Sequence, residues 1–135
     1  MNGDLPAFLR ARLDEDETAA CAAGAEGNDW YTAAPGTAVH SEKSPHLLLL
    51  ADPEARLDSD SADRLAAHAA RHDPARVLRE VETARQILRW YEQPEEHEAL
   101  SRFTTNMQRD VLEQVLRHLA SSHAGHPDYR ESWRP

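Results

Sequence analysis

Large aliphatic and aromatic side chains are scarce in this sequence, and that scarcity limits what it can fold into. Leu, Ile, Val and Phe together make up 23 of its 135 residues. Chains in which these types fall below about a fifth, with a high net charge, border on disorder. Here the formal charge is −9. Much of the remaining hydrophobic content is alanine, which buries little area per residue. A folded state therefore depends on the few large apolar residues sharing faces, and their spacing does place them so. The expectation is a folded domain of modest stability, completed by a partner or by self-association.

The spacing is mostly helical. Leu5, Phe8, Leu9 and Leu13 fall on one side of a helix over 4–23, with Asp4 as a plausible N-cap and Pro6 in its first turn. Gly24 and Gly27 stop it. Residues 24–36 read as a loop rich in breakers, with Trp30 and Tyr31 folding back onto the core. Residues 37–51 read as a β-hairpin turning at Lys43-Ser44-Pro45, its second strand apolar on both faces. A lone hairpin is marginal in water, so this one must pack on helices. A second helix covers 61–72, with Asp58, Ser59, Asp60 and Ser61 as competing N-caps. Asp73-Pro74 is the sharpest local signal, an N-cap aspartate before a proline at the first helical position. It opens a third helix over 74–92, whose Val77, Val81, Ala84, Leu88 and Tyr91 are spaced four, three, four, three. Pro94 ends that helix. A fourth, over 97–122, carries the stripe Met107, Val111, Val115 and Leu119, widened by Phe103, Leu112 and Leu116. A charged, aromatic tail, 123–135, follows. The reading is a single domain over 1–135, mainly α, with about four helices in a small bundle and a short hairpin between the first two.

Charge and cysteine usage narrow the function classes. Lys43 is the only lysine among 15 basic residues, so arginine here reflects a general bias more than a phosphate clamp. The acidic balance argues against nucleic-acid binding, which needs positive patches. It leaves open a less common role, an acidic mimic that occupies a DNA-binding protein. Cys21 is the sole cysteine, which excludes an intrachain disulfide and a cysteine-based zinc cluster. It reads as a buried or half-buried, inert thiol. MNGDLPAFLR is not a secretory signal, and the longest apolar run, 47–51, is too short to cross a membrane. The expected setting is cytoplasmic, with no membrane partner.

Three stretches form a pattern: FLRARLDEDE at 8–17, HAARHDPARVLREVE at 68–82 and HPDYRESWRP at 126–135. Their order and spacing resemble a family of small actinobacterial and actinophage proteins known only as a domain of unknown function. Residues 93–122 have no counterpart in that pattern. The resemblance implies a genomic setting and an ordered tail, packed near the Asp73-Pro74 helix start. It implies no mechanism.

Few residues could carry chemistry. His68 and His72, four apart on a helix, share a face and could meet one divalent metal, with His126 from the tail as a third ligand. The intervening glutamate of a metalloprotease helix is absent. The structural alternatives are an exposed His68 and a His72 at a helix C-terminus. Asp14 to Glu17 could supply paired carboxylates, though such runs are usually solvated and paired with arginines such as Arg76, Arg79 or Arg130. Arg71, Arg76, Arg79, Arg85 and Arg89 make a basic side that Glu80, Glu82 and Glu92 dilute. There is no Walker loop, G-x-G-x-x-G or G-x-S-x-G motif. The leading reading is a non-enzymatic interaction or regulatory module with no cofactor, working through a protein partner or self-association. Val81, Leu88, Tyr129 and Trp133 are its candidate contact residues. The alternatives are a metal-binding protein or small metal-dependent enzyme using His68 and His72, and the acidic mimic.

Overall fold

A computed structural model describes residues 4–32, 38–43, 48–49, 58–93 and 102–135. It has four α-helices: α1 (Asp4–Ala23), α2 (Ser59–Arg71), α3 (Pro74–Glu92) and α4 (Arg102–Ser121). Among the described residues, three short strands lie between α1 and α2: β1 (Trp30–Thr32), β2 (Ala38–Ser41) and β3 (Leu48–Leu49). This is the expected mainly helical fold with an antiparallel hairpin between the first two helices. Residues 37, 44–47, 50 and 51 of the expected hairpin and 97–101 of the expected fourth helix lie outside the described residues. Among the described residues, no helix is long and apolar enough to cross a membrane.

The chain divides into two compact units: Met1–Glu15 with Val81–Pro135, and Asp16–Glu80. In the first, Leu5, Phe8 and Leu9 of α1 form one core with Leu88 and Tyr91 of α3, Leu116 and Ala120 of α4, and Trp133 of the tail. Leu13, Val81 and Ala84 are also buried. The apolar face of α1 and the seam of α3 are thus those the spacing indicated. The stripe on α4 is so only in part. Leu116 and Ala120 are buried and Leu112 and Leu119 half-buried, whereas Met107 and Val111 are exposed. The reason is geometric. Steps of four residues advance 400° around a helix, so a 107–111–115–119 line rotates about 40° per step and winds from solvent to core.

The second unit pairs its strands in the order β1-β2-β3, all antiparallel. Trp30 faces Ser41 and Thr32 faces Val39 across the first pair; Val39 faces Leu48 across the second. The region read as a loop therefore holds a strand. Trp, Tyr and Thr favour extended backbone, but three residues are too few to show alternation. Trp30 is half-buried, while Tyr31 is exposed and stacks on its cross-strand neighbour His40, 5.6 Å between centroids. α2 packs on β1 and β2 with small side chains, Ala62 and Ala66, both fully buried.

Local hydrogen bonds explain the helix starts. The Asp73 carboxylate accepts the Arg76 N–H at 2.8 Å, capping α3, and the Trp30 N–H at 3.1 Å, holding β1 beside that cap. At α2 the structure selects Asp58 from the four candidates. Its carboxylate accepts the Ser61 N–H at 2.8 Å and the Ser61 hydroxyl at 2.9 Å. The Ser61 N–H, then its hydroxyl, hold the Asp58 carboxyl below its ordinary 3.8. A carboxyl lowered on folding stabilises fully above its unfolded value and loses that contribution as pH falls through the folded one. The melting-temperature gap between the wild type and Asp58→Ala is therefore expected to be constant from pH 7 to about 5 and to shrink steadily below about 4. A gap that stays constant down to pH 2 would exclude the cap as its source.

Candidate functional site

The C-terminal tail is ordered by its own sequence. Tyr129 N–H bonds the His126 carbonyl and Trp133 N–H the Arg130 carbonyl, each at 2.9 Å, and residues 131–133 form a 3-10 turn. That turn drives Trp133 into the core of the first unit. The contacts holding the tail come from α1 and α4. Phe8 lies at their centre, with ring centroids of Trp133 at 5.0 Å, His126 at 5.9 Å, Tyr129 at 6.0 Å and His123 at 6.4 Å. The Tyr129, His126 and His123 rings meet it edge to face, the favoured aromatic arrangement. Arg130 pairs with Asp4 at 2.7 Å, and Arg117 donates to the Ser132 carbonyl at 2.9 Å.

Arg12 is the residue that sequence reasoning passed over. One turn after Phe8, on the apolar face of α1, its side chain is only 8% exposed. Its guanidinium sits 5.1 Å from the Phe8 ring centre, a cation–π contact that desolvation strengthens. One terminal nitrogen donates to His126 Nδ1 at 2.6 Å and the other to Glu15 at 2.7 Å. His126 Nδ1 also accepts the Asp128 N–H at 3.1 Å. With Nδ1 accepting from two donors, the neutral imidazole carries its proton on Nε2. The signal was a charged residue in register with Leu5, Phe8 and Leu9. Beside this cluster opens a polar cleft of about 480 Å³, walled by Phe8, Arg12, Asp128, Tyr129, Arg130 and Trp133.

The other candidates fall out as follows. His68 and His72 come together, ring centroids 4.6 Å apart, both exposed. Among the described residues, no three His, Cys, Asp or Glu side chains gather to hold a metal ion. Val81, Leu88 and Trp133 are buried and Tyr129 is half-buried, so three of the four proposed contact residues face the interior of this chain. The acids of α1 are drawn into ion pairs, Asp14 with Arg85 at 2.7 Å and Glu15 with Arg12. Arg76 pairs with Glu80 one turn on and Arg89 with Glu82 two turns back, so two of the acids that dilute the basic side are paired with it. Cys21 is exposed. The large apolar side chains left in solvent include Met107 and Val111, 53% and 58% exposed and one turn apart on α4.

No curated protein and no solved structure matches the chain. A family match does run over residues 2–135, including 93–122, where the three motifs offered no counterpart. Since it spans nearly all the sequence, the chain belongs to the family described as "Family of unknown function (DUF6221)".

Proposed function

We propose that this chain is a non-enzymatic protein-interaction or regulatory module that engages a protein partner through the outward face of α4. The observation that carries it is the exposure of Met107 and Val111 one turn apart. The same helix turns Leu116 and Ala120 fully inward, while Met107 and Val111 keep more than half of their surface in water. A chain this poor in large apolar residues has few to leave idle. The earlier candidates Val81 and Leu88 serve the core, which moves the contact surface to α4.

Met107→Ser with Val111→Ser tests this. Both side chains are solvent-exposed, so the melting temperature is expected to stay within about 2 °C of the wild type. Association, read as self-association by sedimentation velocity or as a partner crosslinked from a photoreactive residue at position 111, is expected to weaken by about 3 kcal/mol, roughly a hundredfold in Kd. A monomer at every concentration, with no protein crosslinked from position 111 in the native cell, would overturn the reading.

A metal-binding reading draws on the proximity of His68 and His72, and two imidazoles would need further ligands from outside the described residues or from a partner. The acidic-mimic reading is weakened by the pairing of Asp14 and Glu15 with arginines, which removes bare charge from the one dense acidic run.

A further inference from the structure

The C-terminal tail is tied to α1 by a histidine that can serve there only while uncharged. His126 Nδ1 accepts from Arg12 at 2.6 Å and from the Asp128 N–H at 3.1 Å. A guanidinium has donors alone and does not lose its proton in a protein. The bond therefore needs a lone pair on the ring nitrogen. Protonation there takes the acceptor from both donors and sets a second cation against the first. Turning the ring over gives no relief, because both nitrogens of an imidazolium are donors.

The groups around the ring pull both ways. From α1 come Arg12 and, on its other terminal nitrogen, Glu15 at 2.7 Å. From the tail comes the Asp128 carboxylate, 3.9 Å from Nδ1. From the turn after α4 comes His123, whose carbonyl accepts the His126 N–H at 2.9 Å and whose ring shares Phe8 with that of His126. The two carboxylates favour a charged ring and Arg12 opposes it. Distance and burial settle the balance. The Arg12 side chain is in contact and 8% exposed, whereas that of Asp128 lies beyond hydrogen-bond reach and is 77% exposed, so water screens it far more. Glu15 offsets part of the Arg12 charge but does not restore the lost acceptor.

We infer that His126 makes the tail an acid-sensitive strap, closed on α1 while the ring is neutral and released as the ring gains a proton. Arg130 on Asp4 and Arg117 on the Ser132 carbonyl also hold the tail, but neither contact depends on a group that ordinarily titrates near neutrality. The released tail binds one more proton than the closed one. Closure is therefore firmest above the ordinary imidazole range, about pH 6.5, and weakens as pH falls through it. Release bares Phe8 and Trp133, both buried in the closed state, so an aromatic surface is presented on acidification. The strap uses neither Met107 nor Val111, so it and the α4 reading can fail separately.

Amide exchange at Tyr129 and Trp133, whose N–H groups bond within the tail, tests this once corrected for the intrinsic effect of pH on exchange. Between about pH 7.5 and 5.5 their protection in the wild type is expected to fall about five- to tenfold, the most that one imidazole titrating near pH 6.5 can supply. Leu116, in the core of the same unit, is expected to keep its protection. His126→Asn sets a neutral amide oxygen near the place of Nδ1 and is expected to hold the fall to under about twofold. His123→Asn, which removes the neighbouring imidazole, is expected to keep the wild-type fall. A wild-type change under about twofold, an equal fall in His126→Asn, its loss in His123→Asn, or an equal loss at Leu116 would each overturn the proposal. Should His126→Asn fail to fold, ring-nitrogen spectra of the wild type decide. An Nδ1 that is bare at about pH 7.5 and gains its proton in step with the loss of tail protection supports the strap. An Nδ1 already protonated there, or a tail indifferent to the gain, rejects it.

Discussion

Replacing Phe8 by alanine is expected to destabilise the protein by about 3–5 kcal/mol, the cost of emptying a well-packed aromatic position. Phe8 is buried and meets four aromatic or imidazole rings and one guanidinium. Their other surfaces are held by α3, α4 or the tail, so they cannot close over the void without leaving those contacts. Edge-to-face contacts contribute about 0.5–1.5 kcal/mol each beyond burial, which places this site at the upper end of the range. Urea denaturation measures the loss. Amide exchange adds a signature: Tyr129 and Trp133, whose N–H groups bond within the tail, are expected to exchange faster in Phe8→Ala even where the helices remain protected. Phe8→Leu keeps most of the apolar volume and is expected to cost about half as much. A cost for Phe8→Ala under about 1 kcal/mol would mean that the tail does not rest on this ring.

Gly27→Ala is the second large effect, and its origin is the backbone. Gly27 follows the 3-10 turn that ends α1 and adopts φ +107°, which side-chain-bearing residues rarely tolerate. A Cβ there would also meet Ser41 Oγ at 2.7 Å and Ser41 Cβ at 2.8 Å. Ser41 cannot swing away cheaply, because its hydroxyl donates to the Glu26 carbonyl and its backbone is paired in the sheet opposite Trp30. Strain and crowding together are expected to cost about 3 kcal/mol. A double-mutant cycle separates them. In a Ser41→Gly background the crowding is gone, and Gly27→Ala is expected to cost only the conformational part, about 1–2 kcal/mol. Equal costs in both backgrounds would show that crowding plays no part.

What the sequence disclosed follows the range of the interactions involved. α1 and α3 begin and end where expected because their boundaries are set within a few residues: Asp73 caps its own helix, Pro74 cannot sit further inside one, and Gly24 and Gly27 halt α1. The Val81–Leu88 seam was legible because a heptad points one way whatever it meets. The inward side of α4 was legible only in part, through Leu112, Leu116 and Leu119, because a four-step line rotates and only the rest of the fold decides which part of it is covered. β1 was hidden by its length. The tail contact joins residues 8 and 133, the Asp14–Arg85 pair spans 71 positions, and no periodicity reports such distances. Arg12 was passed over for a related reason: an arginine on an apolar face is read as an exception until the imidazole and ring that receive it are seen. The candidate contact residues were chosen as the most apolar of their helices, and the same property drew Val81 and Leu88 into the core.

The tail packed on Phe8 has a consequence during synthesis. The unit built from residues 16–80 is contiguous, and all its partners exist once residue 80 has been made. The other unit is closed by Trp133, so its core cannot be completed until residue 133 has been made. Leu5, Phe8 and Leu9 are translated long before Leu88, Leu116 and Trp133, which cover them. Until those residues emerge they form an unsatisfied apolar stripe on a helix, the kind of surface that holdase chaperones shield and nascent chains aggregate through. Slow synthesis past residue 80 extends that exposure without helping this unit fold.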